Sequence, residues 1–165
     1  MILRNQPDET VEICDQEAAV AMVARIVSDA RSRIWIRAHH LEPWLFDHRD
    51  VMDALRWVTS SKDDLQVQVL LHDATAIHAC STCFLKLAWE HPATILFRTT
   101  AETCAETPAG LVANDIGGYY ERPDTDSLDG TACVLSRTRI LGLSQRFRKA
   151  WENAQTLAMD RIHTA

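Results

Sequence analysis

The sequence has no long hydrophobic run, and this absence argues against a membrane-spanning helix. Its longest uninterrupted apolar stretch runs from Ala18 to Ala24, far short of the ~20 residues that such a helix needs. The opening residues, Met1 to Glu9, also lack the charged-then-apolar pattern of a secretory signal. We therefore expect a cytoplasmic protein that does not associate with membranes.

The chain also lacks an excess of positive charge and a cysteine framework. Lys and Arg number 17 against 23 Asp and Glu, a formal charge of −6. The overall field thus repels phosphate backbones, and generic nucleic-acid binding is not expected, although a local basic pocket stays open. Arg146, Arg148 and Lys149 are most simply interpreted as the solvated face of a helix. Five cysteines, an odd number, do not suit a disulfide framework, and we expect mostly buried free thiols, with Cys80 and Cys83 at core positions.

What is present is a regular alternation of strand-like and helix-like segments in one domain, residues 1–165, with a core from about 11 to 157. Short runs rich in apolar residues predict strands near 11–13, 34–36, 94–97, 111–113, 119–120 and 132–135. A further central strand is predicted at 67–71, where apolar residues alternate with Gln66 and Gln68. Apolar residues recur at helical spacing in the predicted helices, which begin after Asp15, at Asp50, before Ile77 and at Ile140, the last running to Leu157. The order predicts an α/β fold with a mixed, mainly parallel central sheet and helices on both faces.

Several local strings carry a resemblance to a known superfamily. They are RIWI at 33–36, WLFD at 44–47, VQVLLHD at 67–73, LVAND at 111–115 and FRKAWE at 147–152. Together with the element order they resemble one half of the phospholipase D superfamily, and more closely a group of uncharacterised bacterial domains assigned to it. The resemblance covers about Gln16 to Glu152 and implies a single phospholipase-D-like half.

Active members of that superfamily use the motif His-x-Lys-x4-Asp, in which the histidine attacks phosphorus and the lysine holds the phosphate oxygens. Two copies of the motif meet at a pseudo-twofold or dimer axis. Placing Asp115 on the motif's aspartate puts Pro108 at the histidine position and Gly110 at the lysine position. No histidine elsewhere in the chain has a lysine two residues later. The resemblance therefore implies a degenerate motif, and Asp115 alone is best interpreted as a turn residue.

Polar side chains follow three of the predicted strands, and parallel strands bring their carboxyl ends to one edge of a sheet. The candidate anion pocket at this edge consists of Arg37, His39, His40, His72, Asp73 and Arg98, with Asp115 included if the strand order brings it there. Forked arginine contacts suit a phosphate or carboxylate. Loops at strand ends are commonly polar without a function, and that interpretation stays open.

Two further clusters allow two interpretations each. A weaker alternative for the same edge is a metal site of His39, Glu42, His72 and Asp73, although we expect neither a metal nor a cofactor. The loop residues Trp44, Leu45 and Phe46 either fold back on the core or form a contact surface for a second subunit or another protein.

The leading functional hypothesis is a catalytically degenerate phospholipase-D-like domain. It would act as a binding or protein-interaction module, most simply as a homodimer, with a small anionic ligand as a further partner. The alternative is a hydrolase or other enzyme of a different mechanism. It would act on a small anionic or phosphate-containing substrate, with or without a metal. The missing motif favours the module, and whether the chain is an enzyme stays open.

Overall fold

The structure is a computed structural model that describes residues 9–72, 82–100, 109–124 and 126–157. Within these ranges the chain alternates strands and helices as far as its fourth strand, as the sequence predicts. The strands are β1 (Val11–Ile13), β2 (Arg33–Ala38), β3 (Gln66–Leu71), β4 (Ile95–Thr99), β5 (Gly110–Asn114), β6 (Tyr119–Arg122), β7 (Gly130–Cys133) and β8 (Gln155–Leu157). The helices are α1 (Gln16–Asp29), α2 (Pro43–Phe46), α3 (Arg49–Ser61), α4 (Thr82–Glu90) and α5 (Arg137–Glu152).

These strands form one mixed sheet in the order β1-β7-β6-β5-β2-β3-β4-β8. Only the pairs β2–β3 and β3–β4 are parallel, whereas every other neighbouring pair is antiparallel. The predicted mixed sheet is confirmed, but the expectation that it is mainly parallel is wrong. A parallel pair needs a crossover of a dozen or more residues. Here β6 follows β5 after four residues and β7 follows β6 after seven, which leaves room only for antiparallel reversals.

Helices cover both faces of the sheet, as predicted. Helices α1 to α4 pack on one face around a large apolar core that includes Val23, Leu55 and Phe84. Helix α5 packs on the other face, where Phe147 lies against Trp35 of β2. No helix within the described ranges is long and apolar enough to cross a membrane.

The ends of three helices show how far local sequence signals can be trusted. Asp15 caps α1 as predicted, by accepting a hydrogen bond from the Ala18 amide at 2.8 Å. Helix α3 begins one residue earlier than predicted, at Arg49, because the His48 imidazole caps it by accepting a hydrogen bond from the Asp50 amide. Helix α5 ends at Glu152 instead of continuing to Leu157. The chain reverses there, and residues 155–157 form β8, whose hydrogen bonds to β4 replace helical ones.

Strands β5 and β6 form a hairpin, and Asn114 organises its turn. Its side-chain oxygen accepts hydrogen bonds from the backbone amides of Ile116, Gly117 and Gly118, and its amide group donates to the Ile26 carbonyl of α1. Gly117 has a φ of 121°, a conformation that suits glycine. This turn fixes the antiparallel return of β6 and ties it to α1.

The cysteines are distributed differently from the expectation. Among the described residues, Cys133 is buried, but Cys14 and Cys83 are exposed, and all three are free thiols. Cys83 points outward because Phe84 and Leu87 occupy the buried side of α4. Cys80 and Cys104 lie outside the described residues.

Candidate functional site

Four of the predicted site residues meet at the carboxyl ends of the parallel strands β2 and β3. They form what we call the edge cluster, which consists of Arg37, His39, His40 and His72. The Arg37 Nε donates a hydrogen bond to the His72 Nε2 at 3.2 Å. The ring of His39 lies 6.5 Å from that of His72 and 5.9 Å from that of His40, measured between centroids. The parallel pairing of β2 and β3 thus produces the convergence that the sequence suggested.

The edge cluster combines a buried cation with a neutral imidazole. Only 3% of Arg37 is exposed. Burial lowers the pKa of His72, and the charge of Arg37 and the nearby His39 lower it further. The Nε2 lone pair of His72 accepts the arginine hydrogen bond, so this nitrogen is not free to attack phosphorus. The arrangement suits electrostatic interaction with an anion better than nucleophilic chemistry.

Arg98 was placed in the same candidate pocket, but the structure does not bring it there. Leu70 lies between Arg37 and Arg98 in the register of the three parallel strands. The Arg98 guanidinium lies 4.5 Å from the centre of the Trp151 ring and donates to the Trp151 carbonyl at 2.7 Å. Arg98 therefore holds the C-terminal end of α5. Asp73 lies outside the described residues.

Asp115 lies at the opposite ends of the strands from the edge cluster, beside the beginning of β2. Its carboxylate accepts hydrogen bonds from the Arg31 amide at 2.9 Å and from the Ser32 amide and hydroxyl at 3.1 and 2.9 Å. Burial alone raises the pKa of Asp115, but these bonds and one from the Arg33 backbone outweigh burial, and the pKa is lowered overall. Asp115 thus fastens the α1–β2 connection, and including it in the pocket with Arg37 was wrong.

The lysine position of the superfamily motif, Gly110, lies at the same edge as the edge cluster, because β5 runs antiparallel to β2. A side chain added to Gly110 would lie against Arg122 of β6, whose Cβ and Cδ are 3.4 and 3.5 Å from the position of such a Cβ. The space beside this position is therefore already occupied by an arginine. Pro108, at the motif's histidine position, lies outside the described residues.

Arg122 does not offer a free cation at this position, because it forms a buried ion pair with Glu42. Its two terminal nitrogens each donate to one Glu42 oxygen at 2.7 Å. The side chains of Arg122 and Glu42 are only 5% and 10% exposed. The Arg122 Nε donates to the Ser127 carbonyl at 2.9 Å. Burial alone lowers the pKa of Arg122, but the hydrogen bonds and charge of Glu42 raise it overall.

The Glu42–Arg122 pair was not predicted from the sequence. Its partners are 80 residues apart, and no local pattern joins them. One signal was available: Arg122 follows Tyr120 by two positions in a strand, which puts both side chains on the same face. A core-facing arginine needs a carboxylate partner. The sequence did not indicate which carboxylate that is.

The three apolar residues before Asp47 belong to the core, which decides between their two interpretations. Leu45 and Phe46 are 1% and 2% exposed, and the Phe46 ring meets that of Phe84 edge to face at 5.8 Å. The half-buried Trp44 donates its indole N–H to Glu42 at 3.3 Å and lies beside the Arg122 guanidinium. They form the helix α2 in a segment predicted to be a loop, and a contact surface made of Leu45 and Phe46 is not supported.

Glu42, one ligand of the alternative metal site, is engaged in its ion pair with Arg122. Both oxygens of Glu42 accept hydrogen bonds from Arg122, so this carboxylate is not directed at His39 or His72. Across the described ranges, no three His, Cys, Asp or Glu side chains are grouped so that they could hold a metal ion.

The fold is similar to those of several solved structures. TrmBL2, an archaeal chromatin protein whose structure shows a novel mode of DNA binding, matches with a TM-score of 0.64 and 10% identity, over 90% of this chain and 53% of that one. This chain thus spans about half the length of TrmBL2. Nuc from Salmonella typhimurium, a phospholipase D family member, matches with a TM-score of 0.60 and 12% identity, over 91% and 98%. NucT from Helicobacter pylori matches with a TM-score of 0.62 and 13% identity, over 90% and 99%.

At such low identities these similarities concern the fold alone, and they establish that this chain has a phospholipase-D-like fold. No curated protein matches the chain in sequence. The model of one protein family, described as a domain of unknown function (DUF7931), matches residues 15–161, nearly the whole chain. The chain therefore belongs to the DUF7931 family of domains of unknown function.

Proposed function

We propose that this chain is a non-catalytic phospholipase-D-like domain that acts as a binding module. The observation that carries the proposal is the environment of Gly110, the lysine position of the degenerate motif. The Glu42–Arg122 pair occupies the adjoining space and is almost completely buried. A structural ion pair thus stands beside the position where an active member would hold phosphate.

The chemistry of the superfamily needs a nucleophilic histidine and a cation that is free to bind the transferred phosphate. The positive charge of Arg122 is neutralised by two short bonds to one carboxylate. His72 of the edge cluster directs its Nε2 lone pair to Arg37. Neither of these residues can take the role of the missing pair without first breaking these contacts.

The use of this fold in TrmBL2, a chromatin protein described by its mode of DNA binding, also supports a binding role. The alternative, an enzyme of another mechanism at the edge cluster, has less support. Three of its candidate residues are engaged elsewhere. Arg98 contacts Trp151, Glu42 is paired with Arg122, and Asp115 lies at the opposite end of the strands. The remaining cluster of Arg37 with histidines suits a small anion such as phosphate, as a ligand rather than a substrate.

The proposal is tested by measuring hydrolysis of bis(p-nitrophenyl) phosphate from pH 5 to 9, by wild-type chain and by an Arg37→Met variant. We expect both proteins to match the buffer rate. A wild-type rate well above buffer that is lost in the folded Arg37→Met variant would overturn the proposal, since Arg37 makes its hydrogen bond to His72 at this edge.

We also propose that the module forms a homodimer. The support comes from the superfamily, in which two motif copies meet at one axis, and no longer from Leu45 and Phe46, which are buried within one chain. Light scattering at micromolar concentration measures the mass directly. A mass of two chains is expected, and a mass of one chain contradicts the dimer.

A further inference from the structure

Helix α5 is strongly basic in a chain that is acidic as a whole. Its 16 residues contain five of the 17 Lys and Arg residues and only one of the 23 Asp and Glu residues, Glu152. The helix thus has a formal charge of +4, from five bases and one acid, whereas the entire chain has −6. Such an asymmetry produces a local positive potential that the net charge does not reveal.

Three of these bases are exposed: Arg137, Arg148 and Lys149. None of the three takes part in a side-chain hydrogen bond or ion pair with another described residue. By contrast, Arg139 is held by both oxygens of Glu121 at 2.8 Å. We call Arg137, Arg148 and Lys149 the α5 cationic face.

The spacing of the α5 cationic face suits an extended anion. Arg148 follows Arg137 by eleven positions, which is close to three full turns, so both lie on the same side of the helix about 17 Å apart along its axis. One DNA strand places a phosphate about every 3.4 Å along the duplex axis, so this distance corresponds to about five phosphates. A linear polyanion lying along α5 can therefore contact both ends of the face.

The surface between these cations favours a nucleic acid over an acidic protein. Leu141 is the one large hydrophobic residue of α5 that is exposed. The apolar side of the helix, including Leu143 and Phe147, is buried against the sheet. Protein interfaces normally have an apolar core with aromatic anchors, whereas phosphate backbones need only spaced cations.

We propose that the α5 cationic face binds the phosphate backbone of a nucleic acid without reading its sequence. The inference rests on the proposed function, because it names the partner class of the binding module. Binding to this surface of α5 involves no hydrolysis, so the bound strand remains intact. With three phosphate contacts, the slope of log K against log salt is expected to be about −2 to −3.

The test measures fluorescence anisotropy of a labelled 20-base-pair DNA duplex and of a labelled 20-nucleotide single-stranded RNA, at 50 and 200 mM salt. The full chain is compared with an Arg148→Glu/Lys149→Glu variant. The matched control is Arg49→Glu/Lys86→Glu, which also reverses one exposed arginine and one exposed lysine, but on α3 and α4 at the other face of the sheet. Circular dichroism verifies that both variants are folded.

We expect the wild type to bind at least one of the two probes and to lose on the order of 20-fold in affinity between 50 and 200 mM salt. The α5 variant should bind at least tenfold more weakly, with a shallower salt slope, and the control should stay within threefold of wild type. The probe that is bound more tightly shows whether the α5 cationic face prefers a duplex or a single strand.

Three outcomes overturn the inference. They are no binding of either probe by the wild type at 50 mM salt, an equal loss in the control variant, and equally tight binding of a labelled 20-residue polyglutamate. The last result would assign the face to acidic proteins. None of these three outcomes involves phosphodiesterase activity. Failure of the inference is therefore distinguishable from failure of the proposed function, which only the hydrolysis assay would detect.

Discussion

Replacing Glu42 with glutamine leaves the Arg122 guanidinium buried without a counter-charge. In the wild type both partners are at least nine-tenths buried, and two bonds of 2.7 Å join them. Removing one partner of a buried pair costs about 3–5 kcal/mol of unfolding free energy. Glutamine retains one oxygen that can accept one guanidinium bond, so we expect the lower end, about 3 kcal/mol.

The pair between Glu121 and Arg139 provides a matched control within the same chain. One terminal nitrogen of Arg139 donates to both Glu121 oxygens at 2.8 Å, and the Arg139 side chain is 39% exposed. Water can therefore solvate Arg139 after the carboxylate is removed, and exposed pairs contribute little. We expect Glu121→Gln to cost about 1 kcal/mol or less.

Urea unfolding at pH 7, followed by tryptophan fluorescence, measures both variants. A loss below 1 kcal/mol for Glu42→Gln, or a loss equal to that of Glu121→Gln, would show that the guanidinium beside Gly110 is not a desolvated charge that depends on its carboxylate. A double variant, Glu42→Leu/Arg122→Met, separates charge from packing. It should be more stable than Glu42→Gln, because no charge is then left buried.

Two further predictions concern the opposite edges of the sheet. Asp115→Ala removes the acceptor for the Arg31 and Ser32 amides and should cost about 2 kcal/mol in urea unfolding at pH 7. The pKa of this carboxyl is lowered, so the stability it contributes is present above 3.8 and is lost as pH falls through its lower folded value. His72 also has a lowered pKa, so the fold favours its neutral form. The wild type should therefore lose stability as pH falls below 6.5, and His72→Gln, which keeps an acceptor for Arg37, should lose less over that range.

Both of these predictions have a clear contrary result. An Asp115→Ala variant as stable as wild type at pH 7 would show that the α1–β2 connection does not depend on this carboxylate. If the unfolding free energy of His72→Gln decreases as steeply as that of the wild type when the pH is lowered, other groups cause the acid sensitivity. Thermal unfolding of each variant at pH 7, 6 and 5 distinguishes these cases.

The order of the elements could be predicted from the sequence because local periodicity encodes it. Apolar residues alternate in β3, and they recur at helical spacing in α1 and α5. The orientation of each strand depends also on pairing between segments that are distant in sequence. The expectation of a mainly parallel sheet was therefore wrong. The termination of α5 was also missed. The apolar pattern continues through Ala154 and Leu157, although Leu157 belongs to a strand paired with Phe97.

The candidate site could be predicted only in part, for the same physical reason. Arg37 and His72 come together because each follows or ends a strand of one parallel pair. Asp115 follows an antiparallel strand, whose end lies at the other edge. The Glu42–Arg122 pair joins segments 80 residues apart and leaves no periodic trace in a single sequence.

A single-turnover experiment determines whether this chain has lost the covalent phosphodiesterase mechanism. The chain is incubated in large excess over an end-labelled oligonucleotide, single-stranded or duplex, and the products are separated on a denaturing gel. We expect only the intact oligonucleotide, with neither a shortened product nor a labelled band linked to the protein. A protein-linked band that forms before a cleaved product would reveal a covalent intermediate and would contradict the account.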